Sequence, residues 1–457
     1  MLLLNILNAI KIVDYKNNIN PKWLSGHFPD RTAAGITRRT RFLIQSGLLP
    51  LGSRLPSLRE LAFCMQISPA TLSMAWAELR EEGIIEGRGR LGSWICRSSS
   101  SPRPKRRGVQ KHAGRDVINL AASIPDRSLL PPLTEALALV AQAPDINSYA
   151  KIRITAALEK ACRTNWPYES ESFLATNGGF CALNETFSVL LPRGSIVAVE
   201  MPTASATLDI LERLGVTIIP VTSDAHGPCL ESVMAALLHE PVAFVFQPRA
   251  NGITGHSVHL ERLTAMGEFF CQRPLWIIEW DALDALSLVP PASLGAWLPQ
   301  YTIHIRSYSK SMSPDLRLAV VSASSEVVGK IQEFRAFGAG WTSRILQEAA
   351  AYLIDDRTAQ ECIQNARAIY SNRRKNLIEN LGEAGMSLPE NGSGFSLWIP
   401  VTNENETKIF LENNNIIVSA GRKHSLTPLP YIRISYSNIK ENFEPIGSLI
   451  GAAVRKP

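Results

Sequence analysis

In the stretch SYSKSMSPDLRLA, residues 307–319, a lysine, several serines and an arginine crowd together. Lys310 follows TIHIRSY (302–308), whose β-branched alternation predicts a strand. In α/β sheets ligands bind outside the C-terminal ends of strands. The ε-amine of Lys310 therefore stands where it could condense with an aldehyde. Ser307, Ser309 and Arg317 lie near enough in sequence to hold a phosphate, the arginine through a fixed fork of donors. Alone the pattern is weak, because most lysines are solvated.

The elements that must position these groups lie on either side. From Ile118 onward, β-branched runs alternate with helical stretches: IVAVE (196–200), VTIIPV (216–221), VAFVFQ (242–247) and LWIIEW (275–280) precede TIHIRSY. That alternation predicts a large α/β domain with a mostly parallel sheet, over residues 118–457.

Residues 24–97 read differently. TAAGITRRTRFLIQSG (32–47) is a helix with Ile36, Phe42 and Leu43 roughly on one face, and SLRELAFCM (57–65) is a second, with Ser57 as N-cap. SPATLSMAWAELREEG (68–83) places Ser68 at N-cap and Pro69 at the first helical position. Its Leu72, Trp76 and Leu79 form an inward stripe that leaves Thr71, Ser73 and Met74 pointing elsewhere. IIEGRGRLGSWICR (84–97) makes two strands around a turn bearing Arg88 and Arg90. A tight turn between two capped helices predicts a helix-turn-helix, and an arginine-tipped hairpin beside it would reach the backbone or minor groove of DNA. Residues 98–117, rich in Ser, Pro and basic side chains, form a flexible linker by composition.

Charge supports the division. Residues 1–115 carry 19 Lys/Arg against 7 Asp/Glu, net +12, and the remainder 28 against 34, net −6. A basic head on an acidic body points to a polyanion as the head's partner. The seven cysteines are scattered without CxxC spacing, which indicates neither zinc nor a disulfide framework and fits a reduced, cytoplasmic compartment. His256 and His259 are three apart but lack a third ligand, so no metal is assigned. MLLLNILNAI reads as a short helix or over-extended start rather than a signal peptide, and no transmembrane helix is expected.

GLLPLGSRLPSLRELA followed by SPATLSMAWAELREEGIIEGRGRLGSWI resembles the winged-helix domain of the GntR family of bacterial regulators. By that resemblance Arg59, Ser68, Thr71 and Ser73 contact DNA, with Arg54, Arg88 and Arg90 behind them. LATNGGFCALNETFSVLLPRGSIVAVEMPT, VFQPRANGITGHSVHLERL, RSYSKSMSPDLRLA, GWTSRILQ and YIRISYS, in this order, resemble the fold-type I aminotransferase domain. The whole is similar to the MocR subfamily: an α+β winged helix-turn-helix head joined to an α/β aminotransferase-like body.

The resemblance implies pyridoxal 5′-phosphate as cofactor, with Lys310 its Schiff-base lysine. Ser307 and Arg317 become phosphate ligands, Gly179 and Phe180 the turn whose backbone N–H groups meet that phosphate. Arg433 becomes the arginine for a substrate carboxylate. Four departures surround the ring. Trp280 stands where the family has the acid facing the pyridine nitrogen, leaving only Asp281, and an indole is donor-only. Ala204 replaces a stacking aromatic, and Ala282 or Leu283 a tyrosine. Gly252 and Ile253 replace an Asn-Pro pair, with Asn251 one residue early. These predict a weakened cofactor site with little or no transaminase turnover. The expected function is a homodimeric regulator that binds double-stranded DNA and senses a small-molecule effector, pyridoxal phosphate or its amine or amino-acid adduct. The alternatives are an active aminotransferase with a DNA-binding head, in which Asp281 replaces the missing acid, and a cofactor-free dimerisation scaffold.

Overall fold

A computed structural model describes residues 18–87, 92–96, 104, 106, 117–141, 143, 146–389, 392–427 and 429–454. The opening apolar stretch, Arg88, Arg90 and most of the linker fall outside these residues. The chain divides into two compact units, Met1–Arg103 and Pro104–Pro457.

In the first unit, helices α1 (Pro21–Ser25) and α2 (Ala33–Gln45) precede β1 (Arg54–Leu55), α3 (Leu58–Met65), α4 (Pro69–Glu81), β2 (Ile85–Gly87) and β3 (Ser93–Ile95). The caps are local in origin. Thr32 accepts the N–H of Gly35, Ser57 and Glu60 form a reciprocal capping box, and Ser68 accepts the N–H of Ala70 ahead of Pro69. Between α3 and α4 the chain turns at Gln66, left-handed at φ 52°. Ile36, Leu43, Leu61, Leu72, Trp76 and Leu79 are buried together. Phe42 corrects the expected stripe: it lies about 100° round the helix from Leu43, is 50% exposed, and carries the Arg39 guanidinium 4.6 Å above its ring. The hairpin also gains a third strand. β1 pairs antiparallel with β3, Arg54 opposite Trp94, giving the order β1-β3-β2.

The second unit is built on a sheet of eight strands: β5 (Ser172–Thr176), β6 (Ile196–Met201), β7 (Thr217–Asp224), β8 (Gly227–Pro228), β9 (Ala243–Phe246), β10 (Trp276–Asp281), β11 (Thr302–Ser307) and β12 (Ala319–Ala323). Their order is β5-β12-β11-β10-β9-β6-β7-β8. The five runs read from the sequence are β6, β7, β9, β10 and β11, joined in parallel. β12 runs antiparallel to both neighbours, β11 and β5. Successive residues face two separate cores, Val197, Val199, Val245 and Ile278 on one side, Ala198, Phe244, Phe246 and Ile277 on the other. Burial on both faces explains the near-continuous apolar runs.

Among the helices covering this sheet are α5 (Gly179–Leu190), following β5, and α6 (Ser205–Leu214), following β6. A third core gathers around a long helix, α7 (Arg357–Glu383), beneath a small sheet of β13 (Ser396–Pro400), β16 (Tyr431–Ser435) and β15 (Ser419–Ala420). β4 (Ile118–Asn119) pairs in parallel with β14 (Ile416–Ile417), tying the start of the body to its C-terminal part.

Candidate functional site

The helix-turn-helix face follows from what the core leaves out. The inward stripe of α4 exposes Met74 (66%) and leaves Thr71 and Ser73 half-exposed. Ser68 is exposed at the N-cap, and Arg59 is exposed in the first turn of α3. Arg54 lies along the hairpin, its guanidinium 5.5 Å over the Trp94 ring. A Cβ at Gly92 (φ +108°) would sit 3.0 Å from the Arg54 Nε. The acids near the C-terminus of α4 do not stay free. Arg41 of α2 bonds Glu78 at 2.7 Å and also Glu82, a lock the sequence reading passed over.

In the body, the end of β5 turns through Gly178 (φ +96°) into α5, which begins without a side-chain cap. Three side chains converge on that turn. Cβ positions built on Gly178 and Gly179 would meet Arg317 Nη2 at 2.8 Å, and Trp280 Nε1 at 3.0 Å with Ser307 Cβ at 3.2 Å, respectively. Arg317 reaches the turn from the Pro314–Leu316 bend and donates to the Asn177 carbonyl at 3.4 Å. Ser307 is buried at the end of β11, its hydroxyl 3.5 Å from that of Ser309. Phe180 is 41% exposed, its ring 4.7 Å from that of Trp280.

Lys310 stands one turn past β11, its Nζ 5.6 Å from the Phe395 ring centroid. Burial, with the nearby Arg433 guanidinium as second cause, lowers its pKa to about 8. Burial likewise brings Arg433 down to about 10, and its guanidinium donates to the Ala121 carbonyl. Among the described residues no carboxylate forms an ion pair with Lys310, Arg317 or Arg433.

Comparison with known proteins agrees with this layout. The family "Bacterial regulatory proteins, gntR family" matches residues 32–95, and "Aminotransferase class I and II" matches residues 115–443. The chain belongs to the class I and II aminotransferase family. With the GntR head before it, it is a transcription regulator of the MocR type. It is 27% identical over 417 residues to the Vitamin B6 salvage pathway transcriptional repressor PtsJ of Salmonella typhimurium, covering 90% of this chain and 96% of that one. It is 23% identical to the probable rhizopine catabolism regulatory protein MocR of Rhizobium meliloti, covering 79% and 80%. Among solved structures, LysN, the α-aminoadipate aminotransferase of Thermus thermophilus, shares the fold of the body at TM-score 0.68 and 20% identity, covering 75% of this chain and 92% of that one.

Aminotransferases of this fold hold pyridoxal phosphate, and the MocR-type body fits that group at one end only. The Gly178–Gly179 turn, Ser307 and Arg317 make a cradle that a Cβ would fill, with Lys310 at the same strand end. At the other end, the position in β10 where the family's ring-facing acid stands is Trp280 in this chain. Asp281 is turned into a buried ion network: its carboxylate takes Arg249 at 2.9 Å, lies 3.7 Å from Arg306, and accepts the N–H of Asp284 at 2.9 Å. Burial alone would raise its pKa, but the two guanidinium groups hold it below the ordinary value. Asp284 in turn accepts Ser311 Oγ at 2.9 Å, so the network braces the residue next to Lys310.

Asn251 is also occupied. Its Nδ2 donates to the Pro202 carbonyl at 2.9 Å, and its Oδ1 accepts the N–H groups of Ile253 and Thr254. Leu283 packs against Gly394, beside Phe395. Trp341 packs edge-on to Tyr149, and Arg344 holds the carbonyls of Ser148 and Ala150. His259 meets His226 Nδ1 to Nδ1 at 2.8 Å, while His256 bonds the Asp224 carbonyl. Phe395 and the Arg249–Asp281–Arg306–Asp284 network were missed in the sequence. Arg306 was the available signal, because a charged residue inside a buried strand must find partners.

Proposed function

We propose that this regulator senses pyridoxal phosphate, free or joined to an amine, in its body and reports it through its DNA-binding head, with little or no transamination. The observation that carries the reading is the pairing of a phosphate cradle and Lys310 with Trp280 at the sequence position of the family's ring-facing acid. The bound cofactor supplies an aldehyde carbon for amines and a ring that withdraws electrons when its nitrogen is protonated. Lys310, partly neutral near pH 8, provides the amine that attaches the aldehyde. Ser307, Arg317 and the N–H groups of Gly179 and Phe180 orient the phosphate, and Arg433 offers its guanidinium to a carboxylate. With an indole at the family's acid position and Asp281 held by Arg249, attachment would be favoured over turnover.

The name of PtsJ, a repressor of vitamin B6 salvage, supports the choice of ligand. The head contacts DNA through Arg59, Ser68, Thr71 and Ser73, with Arg54, Arg88 and Arg90 behind them. A homodimer brings two heads to two half-sites. Ligand and operator are linked through their preference for one arrangement of the dimer.

The test is a titration of full-length protein with pyridoxal phosphate, followed by visible absorbance and by fluorescence anisotropy of operator DNA, beside Lys310→Ala. The expected result is a saturable absorbance band, trapped by borohydride on Lys310, with operator affinity changing over the same range. An affinity that stays constant while the body saturates would sink the proposal.

A further inference from the structure

Trp280 Nε1 is a buried donor with no hydrogen-bond partner among the described residues. The residue is only 8% exposed. An unpaired buried N–H costs free energy comparable with a lost hydrogen bond, and a water, an ion or a ligand group can complete it. Its position says which ligand. Nε1 lies 3.0 Å from where a Gly179 Cβ would be, at the uncapped start of a 12-residue helix whose N–H groups carry partial positive charge. Arg317 Nη2 and Ser307 border the same turn. A helix start, a guanidinium, a hydroxyl and an orphaned indole N–H all offer protons there, and no carboxylate stands among them.

Gly179 and Trp280 are matched in size. Gly179 does not have positive φ, so its backbone admits a side chain, yet a Cβ would stand against the indole nitrogen. The missing methyl leaves the space beside the indole nitrogen unfilled.

We infer that Trp280 is a direct ligand of the phosphate group, its indole N–H completing the anion cup, rather than a residue that merely fills the ring's volume. This rests on the reading that the body receives a phosphorylated pyridine aldehyde, and it deepens that reading. Phosphate recognition is strengthened at the position given up by the ring-nitrogen acid, so the pocket selects phosphate esters over their unphosphorylated counterparts.

The experiment uses the full chain with 15N-labelled tryptophan. Of the nine tryptophan indoles, the N–H signal lost in Trp280→Phe identifies Trp280. Inorganic phosphate should move that signal saturably. Trp280→Phe should weaken pyridoxal phosphate roughly ten- to a hundredfold, the range of a hydrogen bond to a charged group, and leave unphosphorylated pyridoxal unchanged. Gly179→Ala, which retains every donor, should also lose phosphate binding. A Trp280 signal that stays still while phosphate or the cofactor binds would overturn the inference, as would Trp280→Phe binding the cofactor like wild type. If phosphate moves the signal but borohydride finds nothing on Lys310, the cup stands and the sensor reading falls. If the cofactor attaches to Lys310 in both proteins with equal affinity, the sensor stands and the cup falls.

Discussion

Lys310 shows how one residue's surroundings set its chemistry. A lysine amine titrates ordinarily near 10.5, and here burial and Arg433 bring it to about 8. The neutral, nucleophilic fraction therefore grows as pH rises through about 8, from roughly one-tenth at pH 7 to nine-tenths at pH 9. Stopped-flow capture of pyridoxal phosphate should accelerate several-fold across that window, and Arg433→Gln should move the midpoint upward by removing a neighbouring positive charge. A rate flat between pH 7 and 9 would show that the amine is not the titrating group. Other residue roles were less open to reading. Asp281 was assigned to the cofactor from its place after Trp280. Its orientation depends on the register of β10 with β11, which sets Asp281 beside Arg306, 25 positions later in the chain. Adjacent strand residues face opposite sides, so Trp280 could meet the cup only if Asp281 turned away from it.

At the scale of elements, α7 is held to the start of the body by an ion pair under cover. Arg373 donates to Asp126 at 2.9 Å and to the Ser437 carbonyl, with both side chains at most 10% exposed. Burial would raise the Asp126 pKa, but hydrogen bonds from Ser128 and Arg373 bring it to about 2. A carboxylate with a depressed folded-state pKa contributes stability above its unfolded value of 3.8, and that contribution fades as pH falls through about 2. Arg373→Ala should lower stability by about 1.5–3 kcal/mol, the range of a hydrogen bond to a charged group, because Asp126 keeps Lys440 at 3.4 Å and Ser128. Urea denaturation at pH 7 measures it, and a loss below about 1 kcal/mol would refute the role. The elements themselves were largely legible. Strands buried on both faces show as apolar runs, and Ser57, Ser68 and Pro69 marked helix starts through chemistry that needs no distant partner. β1 escaped because two residues make no pattern, and Phe42 because a stripe judged by eye ignores 100° of rotation.

For the whole molecule, the charge division gives a measurable slope. Phosphate contacts release counterions, so operator affinity should fall linearly on a log–log plot against salt. Arg59→Ala should reduce the magnitude of that slope by about 1, the signature of one lost phosphate contact. An unchanged slope with weakened binding would instead place Arg59 on a base edge.

The sheet order has a further consequence for synthesis. β5 is an end strand of its sheet, and its neighbour is β12, whose Ala319 pairs with Thr176 across 143 residues of chain. At ribosomal speeds of about 5–20 residues per second, β5 waits roughly 7 to 30 s for that partner to be made. The head, closed by contacts within its own short length, is complete long before. A nascent chain therefore presents a finished DNA-reading module attached to an apolar strand without its mate, so the interval from Thr176 to Ala319 is when this protein most needs a chaperone.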